Sequence, residues 1–168
     1  MPMIWTGMID HLDDLVKSAV LEVFDTMLNI KMAQHEPDVE KLATGGPHVA
    51  SSVGFIGRLT GVVYLYTTEA FARQITATLL GLSEAEVDAQ EMLNDSMGEM
   101  ANMVVGHMKS RLADRGMPCV LTIPSVVRGS AFSVEAVSST ENRIYSFQST
   151  PDKRLVVEFL MKPTDSKL

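Results

Sequence analysis

The sequence predicts an α+β fold in which long helices pack on a mostly antiparallel sheet, and three features predict it. Two long stretches carry apolar residues at helical spacing. Six short runs rich in Val, Ile, Tyr and Thr are bounded by Gly, Pro and Asn. Helices and strands are grouped along the chain rather than strictly alternating. A chain of 168 residues suits one domain with a sizeable core, and no linker or low-complexity stretch divides it, so a single domain over 1–168 is expected.

Residues 8–31 read as an amphipathic helix, with Ile9, Leu12, Val16, Val20, Val23, Met27 and Ile30 recurring every three or four positions. Glu36, Pro37 and Asp38 end that pattern, and a loop follows through Thr44, Gly45, Gly46 and Pro47. Runs 49–56 and 59–66, separated by Gly57 and Arg58, predict a hairpin that Gly54 and Gly61 interrupt. Thr68 is placed to cap a second helix that runs to Leu80 and stops at Gly81. Ser83 with Glu86 is a capping-box signature for the segment that reaches Arg115, either one long helix or a short one leading into a longer one; Gly116 and Pro118 close it. Strands are expected at 120–127 (broken at Pro124), 131–137, 143–150 and 154–161, punctuated by Gly129, Asn142 and Pro151.

Composition excludes several functions. With 14 basic against 21 acidic residues the net charge is −7, which suits neither a phosphate backbone nor an anionic membrane surface. Cys119 is the single cysteine, so neither an internal disulfide nor a Cys-cluster zinc site is possible within the chain. His11, His35, His48 and His107 form no His-x-x-x-His pair, and no metal site is expected. His107 sits at the core boundary of its helix, where a packed, hydrogen-bonded role is expected. Ser51 and Ser52 adjoin no G-x-S-x-G elbow, and Gly45 and Gly46 precede no Walker lysine. No run approaches the about 18 apolar residues of a membrane span. The first fourteen residues lack the basic start and apolar segment of a secretory signal, so a cytoplasmic setting is expected.

The two long helices share a polar pattern, a weak internal repeat. Ser18, Glu22 and Asp25 in the first and Asp95, Glu99 and Asn102 in the second have the same spacing of four then three. At about 100° per residue such positions share one stripe, which in the second helix continues to Gly106 and Lys109. The same spacing also describes any solvated helix face. As chemistry, a carboxylate and an amide one turn apart can enter a partner's cleft together. The amide of Asn102 donates and accepts hydrogen bonds without net charge, and so can orient a water against phosphorus without repelling phosphoryl oxygens. Glu99 can pair with a partner's cation. Gly98 and Gly106 flank the pair and leave room for close approach, at about 1 kcal/mol each within a helix. Met92 and Met103 project beside Glu99, either as a soft docking surface or as half-buried packing.

The run Asn94-Asp95-Ser96-Met97-Gly98-Glu99-Met100-Ala101-Asn102-Met103-Val104-Val105-Gly106, followed by Ile123-Pro124-Ser125-Val126-Val127-Arg128-Gly129, resembles the CheX-like chemotaxis phosphatases of the CheC/CheX/FliY group. The group's pattern is an acidic residue or serine, three others, Glu, two others and Asn, then a later proline; Asp95, Glu99, Asn102 and the strand containing Pro124 match it. The likeness extends to Gly61-Val62-Val63-Tyr64-Leu65-Tyr66 and to the helix ending Leu79-Leu80-Gly81, and so covers most of the chain.

The resemblance implies a phosphatase that removes the aspartyl phosphate of a CheY-like response regulator. Asn102 would orient the attacking water and Glu99 would dock to the regulator's lysine. Asp95 would contact the partner or brace the helix. The protein would hold no cofactor of its own, the Mg²⁺ residing on the regulator. Asp25 stands where the first helix would need an Asn, and its charge would repel a phosphoryl group, so one working site is expected. The resemblance also implies a homodimer formed through the sheet. The alternative is a non-catalytic adaptor that binds a receiver domain or a flagellar-switch component.

Overall fold

The computed structural model describes residues 3–43, 46–137 and 140–164; Thr44 and Gly45 of the expected loop, and the side chain of Ile9, lie outside what it describes. Helix α1 (Met3–Leu28) leads to a short strand β1 (Ala33–His35), then to the hairpin of β2 (His48–Gly57) and β3 (Leu59–Thr68). Helices α2 (Glu69–Leu80) and α3 (Gln90–Asp114) follow, then strands β4 (Cys119–Leu121), β5 (Ser125–Gly129), β6 (Glu141–Thr150) and β7 (Lys153–Pro163). Among the described residues all strand pairs are antiparallel, in the order β1-β6-β7-β3-β2, with the outer side of β2 shared by β4 at one end and β5 at the other. This is the α+β architecture that the grouping of elements predicts.

Local signals account for most boundaries. Thr68 accepts a hydrogen bond from the Phe71 N–H at 3.1 Å, and Gly81 ends α2 at φ 67°, both as expected. α1 stops at Leu28, before the expected Lys31, because Asn29 takes the left-handed conformation (φ 54°) that a short polar side chain tolerates. The Ser83–Glu86 box opens only a 3-10 turn, Glu84–Glu86, with the Ser83 N–H donating to the Glu86 carboxylate at 2.7 Å and holding its pKa below the usual carboxylate range. Val87 then turns inward and is buried, and α3 starts afresh at Gln90, so the short-then-long alternative holds. Gly61 is required where β3 meets β7, since a Cβ there would collide with the Leu160 carbonyl.

One face of the sheet carries the main core. Val16, Val20 and Phe24 of α1, Phe71 and Ile75 of α2, and Met97, Met100 and Val104 of α3 close over Val53, Val63, Leu65, Leu155 and Val157. The opposite face has a smaller cluster, Leu42, Ala50, Tyr66 and Val156, joined by Phe132 and Val134.

The strand expected at 131–137 is absent. That segment instead crosses the smaller cluster, with Phe132 stacked on the buried His48 ring at 4.3 Å. Its anchor is Lys41. The ammonium donates to the Val134 carbonyl at 2.6 Å and pairs with Glu158 at 2.7 Å, and Glu158 is fully buried on β7. Lys41 and Leu42 both have positive φ (53° and 64°), a cost that the ion pair and the Asp38 carboxylate, which accepts from the Glu40 and Leu42 N–H groups, together offset.

Lys41→Met strands a buried carboxylate and is expected to lower stability by about 3 kcal/mol, whereas Lys41→Met combined with Glu158→Leu recovers most of it; urea unfolding of both variants checks this. Burial pushes up the hydroxyl pKa of Tyr66, with the Glu158 charge adding to it. Burial does the same for Tyr145, reinforced by the 2.6 Å hydrogen bond to Asp13. A phenol that stays neutral when folded but ionises when unfolded contributes stability that is complete below about pH 10 and is lost as the pH rises further. Unfolding midpoints measured across that range should fall with pH, less steeply in Tyr145→Phe.

Candidate functional site on helix α3

α3 owes its orientation to its apolar side. Leu93, Met97, Met100, Ala101, Val104, Val105 and Met108 are buried, which turns the opposite side of the same helix outward. Asp95 and Glu99 are exposed, while Asn102, Gly106, Met92 and Met103 are half-buried. The stripe expected from the spacing is therefore on the surface. Met103 packs against the edge of the main core.

The side-chain hydrogen bonds and ion pairs of α3 lie near its ends. Gln90 accepts from Arg128 of β5 at 2.8 Å, and His107 and Arg111 reach the Glu22 carboxylate of α1 at 2.9 and 3.2 Å; the Ser110 hydroxyl bonds back to the Gly106 carbonyl. Among the described residues no side chain of positions 91–106 takes part, so Asp95, Glu99 and Asn102 have no intramolecular partner there. A carboxylate and a carboxamide one turn apart, unengaged and backed by a rigid helix, can meet a cation and a water supplied from outside.

The matching stripe on α1 is used differently. Glu22 is the acceptor for His107 and Arg111, and Asp25 pairs with Lys31 at 2.6 Å. His107 thus has the packed, hydrogen-bonded role expected of it. Glu22 links α1 to α3 and Asp25 makes a local surface pair, whereas Asp95 and Glu99 of α3 face solvent.

The two glycines also part company. Gly98 is buried, and a Cβ there would sit 3.4 Å from the Pro124 ring, so the close approach that it permits is made by the chain's own β4–β5 connection. Among the described residues nothing lies within 4 Å of a Cβ at Gly106. The connection is itself held on both sides of Pro124: the Thr122 hydroxyl accepts from the Gly54 N–H at 2.9 Å, and Ser125 and Ser52 share a hydroxyl bond at 2.9 Å. The sequence marks Pro124 as part of the pattern, but its seat on Gly98 and the Glu22 tie are contacts between distant segments that no local signal announces. No group of three or more His, Cys, Asp or Glu side chains able to hold a metal occurs among the described residues.

The fold, three helices over one face of an antiparallel sheet, is that of a known class of proteins. Residues 49–148 match the family model of the chemotaxis phosphatase CheX, more than half of the chain, and the protein belongs to that family. Its fold is shared by a CheC-like superfamily protein from Shewanella sp. PV-4, with 25% identity, TM-score 0.75, and 89% of this chain and 96% of that one covered. It is shared too by the chemotaxis protein CheX of Vibrio vulnificus, with 21% identity, TM-score 0.74 and coverage of 89% and 95%. A third is the CheX of Borrelia burgdorferi, solved in complex with CheY, BeF3 and Mg²⁺, with 20% identity, TM-score 0.69 and coverage of 92% and 97%. A search of curated proteins finds no significant match. No helix among the described residues is long and apolar enough to cross a membrane.

The glycine contrast is testable. Gly98→Val should push Pro124 away and cost about 1–3 kcal/mol. Gly106→Ala, with open space around it, should stabilise by about 0.5–1 kcal/mol. Chemical denaturation of the two variants beside the parent measures both.

Proposed function

We propose that this protein hydrolyses the aspartyl phosphate of a CheY-like response regulator, with α3 as the element that enters the regulator's phosphorylation pocket. The observation that carries the reading is the pairing of an exposed Glu99 with a half-buried Asn102, one turn apart and without a hydrogen-bond or ion-pair partner among the described residues, in a chain of the chemotaxis phosphatase family. The Borrelia burgdorferi complex, in which a CheX of this fold binds CheY with BeF3 and Mg²⁺, supports a receiver domain as the partner.

In this reading the Asn102 amide holds a water in line with the phosphorus. The water oxygen bonds to phosphorus as the bond to the aspartyl oxygen breaks, the aspartate leaves as a carboxylate, and the water's protons pass to the departing phosphate and solvent. Catalysis is positioning: a neutral amide places the nucleophile without adding charge against the phosphoryl oxygens. Glu99 sets the register by pairing with the regulator's lysine, and Asp95 contacts the partner or braces the helix. Met92, Met103 and Gly106 border the contact, and Gly98 acts through the seat that it gives Pro124. The Mg²⁺ belongs to the regulator, and this chain contributes no cofactor. A cytoplasmic homodimer belongs to the same reading, and sedimentation of the free protein tests the dimer.

Asn102→Ala should slow phosphate release from a CheY-like receiver phosphorylated with acetyl phosphate by on the order of 10²-fold at saturating protein, the scale of losing one preorganised polar contact, with folding unchanged because the side chain has no hydrogen-bond partner among the described residues. Glu99→Gln should chiefly weaken binding. Dephosphorylation at the parent rate by Asn102→Ala would remove the mechanism, and receiver binding without turnover by the parent protein would establish an adaptor instead.

A further inference from the structure

Strand register divides the chain into two halves related by an approximate two-fold. The hairpins correspond: Val53 faces Val63 across β2 and β3 as Tyr145 faces Val157 across β6 and β7. They meet at β3 and β7, where Val63 faces Phe159 and Leu65 faces Val157, each pair the image of the other. The short strands correspond too. Gln34 of β1 lies opposite Phe147 of β6 as Leu121 of β4 lies opposite Phe55 of β2, and a proline stands three residues further on in each half, Pro37 and Pro124. A four-residue connection leads from α1 to β1 and from α3 to β4.

Carried into the helices, the same correspondence sets the buried Leu12, Val16, Ala19 and Val23 of α1 against the buried Met97, Ala101, Val104 and Met108 of α3. Asp14 and Lys17, both exposed, then occupy the places of Glu99 and Asn102. The evenly spaced Ser18, Glu22 and Asp25 lie about two turns further along α1, toward its end, and are not the counterparts in space. Lys17 opens onto a groove at the β1–β6 edge that Asp13, His35, Glu36, Arg143 and Tyr145 also line. Tyr145 donates there to Asp13, which stands where α3 has Gly98, and Arg143 pairs with Glu141. The two helix faces serve opposite edges of the sheet, β1 and β4, about 24 Å apart at the usual strand spacing.

We propose that α1 carries a second docking site for a phosphorylated CheY-like receiver, one that binds without hydrolysing, with Asp14 in the place of Glu99 and Lys17 in that of Asn102. The inference rests on the docking role given to α3 above. The carboxylate of Asp14 keeps the contact for a lysine of the receiver. The ammonium of Lys17 donates three hydrogen bonds and accepts none. It therefore draws in phosphoryl oxygens by charge but leaves a water unoriented, so this half of the chain keeps recognition and lacks the chemistry.

The test is calorimetry of the whole protein with a CheY-like receiver that the parent dephosphorylates, carrying BeF3 and Mg²⁺ as the stable stand-in for its phosphoryl group. The parent should bind two equivalents per chain. Asp14→Lys with Lys17→Glu changes only exposed side chains and should weaken one equivalent by about tenfold, the sum of two exposed ion pairs, while the other persists. Glu99→Lys with Asn102→Ala disables α3; it should keep the α1 equivalent while phosphate release falls to the receiver's own rate. All four changes together should weaken both. A single equivalent in the parent, lost with Glu99→Lys and Asn102→Ala alone, would overturn the second site and leave the reading of α3 standing. Phosphate release above the receiver's own rate by the α3 variant would overturn the non-hydrolysing assignment. Failure of the parent to dephosphorylate any receiver would sink the reading of α3 and this one with it.

Discussion

The burial of one side of α3 is the constraint on which the remaining arrangement rests. Met97, Met100, Ala101 and Val104 are fully enclosed between the sheet and the other two helices. A large apolar side chain removed from water in this way contributes on the order of 1.5–3 kcal/mol. Turning the helix by one residue, about 100°, would bring Glu99 toward the core and expose methionine, so the rotation of the helix is set many times over. The outward stripe is a consequence of that packing, and needs no interaction of its own to hold it in place.

Around this helix the polar contacts are distributed unevenly. Arg128 ties its first turn to β5, and Glu22 ties its last turns to α1 through His107 and Arg111, while among the described residues the side chains of the middle make no such contact. Pro124 on Gly98 braces one flank by packing alone. The backbone of the helix is thereby fixed at both ends, while the side chains of the stripe keep their rotamer freedom. The α1 stripe, with the same spacing, shows the alternative use of such residues: its carboxylates are consumed as internal acceptors.

The far side of the sheet works on another principle. Apolar area there is small, and the segments covering it, around residues 38–42 and 130–137, have no regular hydrogen-bonding pattern. One lysine joins them to each other and to β7 by reaching both Val134 and Glu158. An enclosed ion pair contributes little net stability relative to apolar packing, but losing one half of it is costly, which makes it a device for specifying one arrangement of two otherwise unconstrained segments.

The amino-acid sequence by itself determined the α+β class, the hairpin, α2 with its Thr68 and Gly81 ends, and the alignment of Asp95, Glu99 and Asn102 on one helix face, because periodicity and capping are properties of neighbouring residues. It overran α1 by ignoring Asn29, and it read a strand at 131–137 from β-forming residues whose place in the fold is over the small cluster on the far face of the sheet. Only the tertiary structure decided that Glu22 binds His107 and Arg111 while Asp95 and Glu99 meet no partner among the described residues, that Gly98 receives Pro124, and that Lys41 reaches Glu158. Each of these joins segments whose separation along the chain leaves no trace in local pattern, since a contact between distant residues depends on how whole elements pack and not on the composition of either one.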